Sequence, residues 1–269
     1  MKKFLLLILT TAFYILNLCA QSSDNYIRCI YLENYIKDSA KPKDIRQDEF
    51  SLDIYPDGKS AFYSVYERAI RISRDSLLRI GMTAAEVINQ QADMPRTHQY
   101  FEYYKNIPEK GTYRCYDKVV KMYCYEEKLP SPQWNIIPET KELLGYTCQK
   151  ANATIDGRTW EVWFTPQIPV GEGPWLLCGL PGMILEAIDT EGIFHFKAIE
   201  LKNFTEELKE PSTNKIIRCT RKEFLNLRKN YEKDPTSGLK AITGRNLQIM
   251  GADGKPLKNK TKQINFFEK

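Results

Sequence analysis

Through much of this chain apolar residues alternate with polar ones, and a period of two marks strands that bury one face. Phe50, Leu52 and Ile54 follow the pattern, Pro56-Asp57-Gly58 supplies a turn, and Ala61 to Val65 resumes an apolar, aromatic run, which predicts a β-hairpin. Tyr26 to Tyr35, rich in Ile, Tyr and Leu, predicts an opening strand. Phe101, Tyr103 and Tyr104, then Tyr113 to Tyr116, then Val119 to Tyr125 predict further strands, broken by Pro108 to Gly111. Leu143 to Ala153, the turn Asp156-Gly157 and Arg158 to Thr165 make the clearest hairpin, with Trp160, Val162 and Phe164 on one face and Glu161 and Trp163 on the other. A third hairpin runs from Met183 to Ile188, turns through Asp189 to Gly192, and returns from Ile193 to Leu201.

Helical signals are fewer. Between Ser73 and Gln99 the composition suits short helices, with Thr83-Ala84-Ala85-Glu86 as a capping box. Thr220-Arg221-Lys222-Glu223 repeats the box, Phe224, Leu227 and Tyr231 follow at helical spacing, and Asp234-Pro235 is expected to stop that helix. Leu129-Pro130-Ser131-Pro132 reads as a stiff connection. Strands and helices do not alternate as βαβ units, so the expected fold is α+β, mainly β: a curved antiparallel sheet built from hairpins with a few short helices, bowl-like or half-barrel-like.

The first 20 residues change the picture. Lys2 and Lys3, the apolar run from Phe4, and small Ala20 have the order of a secretory signal, which leaves one domain over residues 21–250 and a basic flexible tail over 251–269. A lipoprotein reading of Cys19 is the alternative, but Leu18 stands where such signals place a small residue. No later segment has the length and apolarity of a membrane span. Without Lys2 and Lys3 the chain holds 37 basic against 34 acidic residues, too mild an excess to imply nucleic acid. Six cysteines would remain: Cys29, Cys115, Cys124, Cys148, Cys178 and Cys219. In an exported protein an even count predicts disulfides, with Cys148–Cys178 and Cys115–Cys124 the pairs suggested by neighbouring hairpins. Metal binding is the rival reading; no C-x-x-C is present and His98 and His195 stand alone, so neither a metal nor a cofactor is expected.

The least generic stretch is Gly173-Pro174-Trp175-Leu176-Leu177-Cys178-Gly179-Leu180-Pro181-Gly182-Met183-Ile184-Leu185-Glu186. Its Pro-Gly pair suits a tight turn before a strand, and it supplies no nucleophile. These residues, with Leu144 to Ala151 and Gly157 to Thr165, resemble the signature of the GLPGLI family of exported Bacteroidetes proteins, with Met183 in place of the usual leucine. That resemblance implies an exported or envelope protein and no established activity. The fold it implies is similar to periplasmic lipoprotein carriers and to the bowl-shaped amino-terminal domain of some bacterial glycan amidases, which are analogies of fold. Asp38-Ser39-Ala40 and Asp75-Ser76-Leu77 resemble the O-glycosylation acceptor pattern of that phylum, placing Ser39 and Ser76 as acceptors against a plain loop reading.

No catalytic constellation stands out: Gly-x-Ser-x-Gly and His-Glu-x-x-His are both absent. The leading expectation is therefore a non-catalytic envelope protein that binds an apolar, glycan or peptide ligand. Its surface would draw on Trp160, Trp163, Trp175, Gly179, Leu180, Pro181 and Gly182. The first alternative is a glycan hydrolase using carboxylates such as Glu126, Glu161 and Glu186. The second is a docking protein for an outer-membrane transporter or another envelope component, with Trp175 at the contact.

Overall fold

The computed structural model describes residues 26–97, 99–211, 215–245 and 265. The expected signal segment, Cys19, and the tail apart from Asn265 lie outside the described residues, as does His98.

Among the described residues twelve strands form one open, curved sheet. They are β1 (Tyr26–Ile36), β2 (Ile45–Ile54), β3 (Ser60–Ser64), β4 (Glu102–Lys105), β5 (Thr112–Val119), β6 (Lys121–Lys128), β7 (Asn135–Leu143), β8 (Tyr146–Ile155), β9 (Arg158–Thr165), β10 (Met183–Asp189), β11 (Phe194–Phe204) and β12 (Ile217–Arg218). Four helices accompany them: α1 (Val65–Arg79), α2 (Ala84–Gln90), α3 (Arg221–Lys233) and α4 (Pro235–Thr243). The strand order is β12-β6-β5-β4-β3-β2-β1-β11-β10-β9-β8-β7, antiparallel throughout except for the short β12 against β6.

The order has a simple logic. From β1 the chain meanders outward to β6, crosses to the far edge through the Pro130 and Pro132 connection, and meanders back until β11 pairs with the other side of β1. β1 is thus central, with Glu33 opposite Asp48 on one side and Phe196 on the other. At Asp156 (φ 49°) and Gly157 (φ 76°) both turn residues are left-handed, which matches the twist of the strands they join.

A large aromatic core lies on what we call the inner face, where Tyr31, Phe50, Phe62, Phe101, Trp160 and Phe196 are all buried. Phe50 stacks on Phe62 at 4.9 Å and on Phe101 at 5.3 Å between ring centroids. A smaller cluster of Tyr55, Tyr63, Tyr104 and Tyr116 occupies the outer face beside α1. There the Arg68 guanidinium sits 3.2 Å from the centre of the Tyr63 ring and reaches Glu102, while Arg28 grips the buried Asp53 at 2.7 Å.

Several expectations are met and several are corrected. The capping boxes at Thr83/Glu86 and Thr220/Glu223 both form. Asp234-Pro235 ends α3 but also begins α4, because Asp234 accepts the Ser237 N–H and proline is tolerated at a first helical position. β7, which carries Pro138, was not expected as a strand; it lies at the sheet edge with an irregular register between Ile137 and Thr140, where a missing N–H costs nothing in the ladder.

The six cysteines form no disulfide. The register explains one expected pair: Cys115 lies opposite Tyr125 and Cys124 opposite Tyr116, so the two thiols leave the sheet on opposite faces. Cys148 and Cys178 are separated as well, the first contacting the Tyr146 carbonyl and the second the Pro130 carbonyl. Burial pushes the Cys29 thiol up to about 12 and the Cys148 thiol to about 11, which keeps both protonated and unreactive.

Candidate functional site

The tryptophan surface expected from sequence divides between the two faces. Trp160 and Trp175 are both fully buried and pack against each other at 5.8 Å, so they belong to the core and present no ligand surface. Leu180 and Gly182 are buried too, leaving Gly179 and Pro181 exposed. A side chain on Gly182 would meet the Thr165 carbonyl oxygen at 2.2 Å, so the motif's last glycine is there for close backbone approach. The segment is pinned over the inner face by the Lys105–Glu172 ion pair, by Tyr31 Oη donating to the Ile184 carbonyl at 2.6 Å, and by Trp134 Nε1 donating to the Cys178 carbonyl at 2.8 Å. Trp163 alone points to the other face, where Lys141 lies 4.3 Å from its ring centre.

The three glutamates expected as acid or base candidates are each committed to cations. Glu126 pairs with Arg114 and Arg218, and Glu161 with Lys150. Glu186 meets His195 at 2.7 Å and Lys141; burial pushes its carboxyl up, but those two hydrogen bonds outweigh burial and hold it down at about 2. A proton donor needs the opposite shift. His195 faces outward between the buried Phe194 and Phe196, away from Cys178. Ser39 donates to Asn265 Oδ1 at 2.7 Å, and Ser76 lies in α1 rather than in a loop.

The structure instead assembles a site that the sequence left unmarked. A cleft of about 300 Å³ opens where the end of β1, the segment entering β4, the β5–β6 turn and α3 meet. α3 is held there because Phe224 inserts against Tyr123 and Tyr125, and because Arg228 pairs with Asp117 at 2.9 Å. Tyr35, Tyr100, Phe194 and Tyr231 give the cleft aromatic walls; Gln99, Asp117, Lys118, Arg228 and Glu232 give it hydrogen-bonding groups. Tyr35 stacks on Phe194 with ring planes 7° apart, which fixes its orientation. Val120 on the rim has φ 66°, a strained conformation for a β-branched residue and one that tends to gather at functional sites.

Behind this wall lies a carboxyl pair. Glu33 is fully buried and Asp48 is 1% exposed, directly across the β1–β2 register on the inner face. Asp48 accepts from Ser64 at 3.1 Å, from Thr97, and from the Glu49 N–H at 2.8 Å. Burial outweighs those bonds and pushes its carboxyl up to about 6. Burial and then Asp48 itself push Glu33 well above the usual carboxylate range. One Glu33 oxygen accepts from Gln99, which links the pair to the cleft. The signal for this pair was present but unread: Asp48 is in phase with Phe50, Leu52 and Ile54, and Glu33 with Tyr31 and Tyr35. Among the described residues no group of three His, Cys, Asp or Glu could hold a metal, and no helix is long and apolar enough to cross a membrane.

Comparison with known proteins fits this architecture. Two solved structures of PNGF-II, in P21 and C2 crystals, superpose with a TM-score of 0.50 at 14% and 15% identity, each covering 75% of this chain. This chain spans about a third of their length, 32%. No curated protein matches. A family model described as the N-glycanase N-terminal domain, PNGase F-II type, matches residues 72–223, which run from α1 through the glycine-rich segment to the first turn of α3. That match spans more than half of the chain, and the protein belongs to the PNGase F-II N-terminal domain family.

Proposed function

We propose that this chain is an exported glycan-binding protein of the cell envelope, acting as an accessory module rather than as a hydrolase, and that it is also a GLPGLI-family member. The observation that carries the reading is the cleft beside Tyr35, in a chain whose family takes its name from an N-glycanase. Saccharides are bound by stacking their apolar faces on aromatic rings while amide, carboxyl and guanidinium groups take their hydroxyls, and Tyr35, Tyr100, Tyr231, Gln99, Asp117 and Arg228 supply both kinds of contact. The hydrolase alternative has weaker support. Among the described residues the carboxyl pair with raised proton affinity, Glu33 and Asp48, is too deeply buried to touch a substrate, and a catalytic acid must lie within hydrogen-bond reach of its target.

Isothermal titration of the mature chain with N-glycan oligosaccharides, beside a panel of unrelated glycans, tests the reading. Saturable binding that weakens at least tenfold in Tyr231→Ala and Tyr100→Ala is expected. Lack of binding to every glycan sinks it, and release of sugar or of ammonia from a glycopeptide would restore the hydrolase reading.

A further inference from the structure

Thr97 and Gln99 lie in neither helix nor strand, yet Gln99 is part of the cleft wall, as are Tyr100 and Phe101 that follow it. Bonds to the buried acid pair hold the two residues in place. Thr97, 4% exposed, donates its hydroxyl to Asp48 and accepts the Gln99 N–H at 2.9 Å, while the Gln99 side-chain amide donates to Glu33. Glu33 and Asp48 face each other across the β1–β2 register, and among the described residues neither has an ion-pair partner. A charge placed there is taken out of water, and a second would stand beside the first. Hydrogen bonds from Thr97 and Ser64 favour the charged form of Asp48, but burial outweighs them. Charge on the pair therefore calls for water. β1 is laddered on both sides and resists opening, so the least costly entry is to lift the side-chain clip at residues 97 and 99.

We propose that Glu33 and Asp48 are a pH-sensitive latch on the cleft: uncharged, they hold Thr97 and Gln99 in the ligand-binding position, and ionisation frees that wall and weakens binding. Neither acid touches the ligand; the pair acts through the residues it positions. The effect on binding rests on the reading of the cleft as a glycan site, whereas the movement of the wall does not. Tyr35 on β1, Arg46 and Glu49 on β2, Tyr66 on α1 and Tyr100 before β4 are the other charged or titratable groups that face the pair or the Tyr35 ring beside it. β11 contributes Phe196 opposite Glu33. Burial pushes all three tyrosines up, away from the neutral range in which the latch works.

The test is hydrogen exchange on the full mature chain without ligand at about pH 5 and about pH 7.5, corrected for the intrinsic pH dependence of exchange, with N,N′-diacetylchitobiose titrations at both values. Protection of the Gln99 and Tyr100 amides, relative to β8, should fall roughly tenfold at the higher pH, and affinity should fall by a similar factor. Asp48→Asn keeps the shape and removes the proton, so both quantities should stay within about twofold across the range. Thr97→Val keeps both acids and cuts the clip, and should show at the lower pH the weak protection that the parent shows at the higher. Because a histidine ordinarily titrates in this range, His98→Gln is the control and should respond as the parent does. Protection that ignores pH in the parent overturns the latch. So does a response that survives Asp48→Asn or vanishes in His98→Gln, and so does full protection in Thr97→Val. Chitobiose affinity that is equal at the two pH values overturns the latch and leaves the glycan reading standing. A wall that loosens with pH in a chain that binds no glycan keeps the latch and removes the glycan reading.

Discussion

Trp175 fills the core beneath the glycine-rich segment, fully buried against Trp160, and its φ of 51° shows that the backbone accepts strain to place it there. Trp175→Ala should therefore cost about 3–5 kcal/mol of stability, read as a lowered urea midpoint, rather than remove a partner from an intact fold. Gly182→Ala should be at least as damaging, since its new methyl would press on the Thr165 carbonyl oxygen, and neither β9 nor β10 can yield without losing ladder bonds. Denaturant unfolding of the two variants checks both. The sequence presented Trp160, Trp163 and Trp175 as equal candidates for a surface. Alternation along β9 separated Trp163 from Trp160 correctly, but nothing in residue type said which face would be covered by the segment 166–182.

At the scale of elements, α3 matters because it forms one wall of the cleft. It is amphipathic, with Phe224 as its buried residue and Arg228 one turn on, the guanidinium lying 4.8 Å from the Phe224 ring centre. Its Thr220/Glu223 box satisfies the first free amides, so Thr220→Ala should loosen the start of the helix by about 1 kcal/mol. Arg228→Met, by removing the Asp117 pair, should weaken glycan binding and also loosen α3, because it takes the guanidinium away from a largely buried carboxylate. Amide exchange over residues 221–233 and titration with the core pentasaccharide measure the two effects. The box, the Asp234-Pro235 stop and the strong hairpins were legible because each is local chemistry. β7 was not, because its Pro138 counts against a strand unless one knows that the strand lies at the edge.

For the molecule as a whole, the buried pair predicts an inverted acid response. Asp48, raised to about 6, and Glu33, pushed well above the usual carboxylate range by burial, bind protons in the folded chain at pH values where the unfolded chain has released them. Stability from this pair is thus fully present below the unfolded carboxylate value and is lost as pH rises through about 6. Glu186 works in the other sense: held at about 2, it stabilises above its unfolded value and loses that contribution as pH falls toward 2. Melting temperature should accordingly peak near pH 4–5, and Asp48→Asn should flatten the fall between pH 5 and 7. A melt series across that range that is no flatter in Asp48→Asn would show that the pair does not carry the proton.

The sequence by itself determined the antiparallel, mainly β class, three hairpins with their turns, both capping boxes and the inward run of aromatics. All of these depend on residues within a few positions of one another, where backbone preference and periodicity act directly. Tertiary structure alone decided that β1 is central between β2 and β11, that Cys115 and Cys124 part to opposite faces, and that residues 35, 99, 117 and 228 converge on one cleft with Glu33 and Asp48 buried behind it. Those outcomes depend on strand order and register across more than 190 positions of chain, which no local pattern encodes, and burial by the completed sheet is what raises the proton affinity of two ordinary acids.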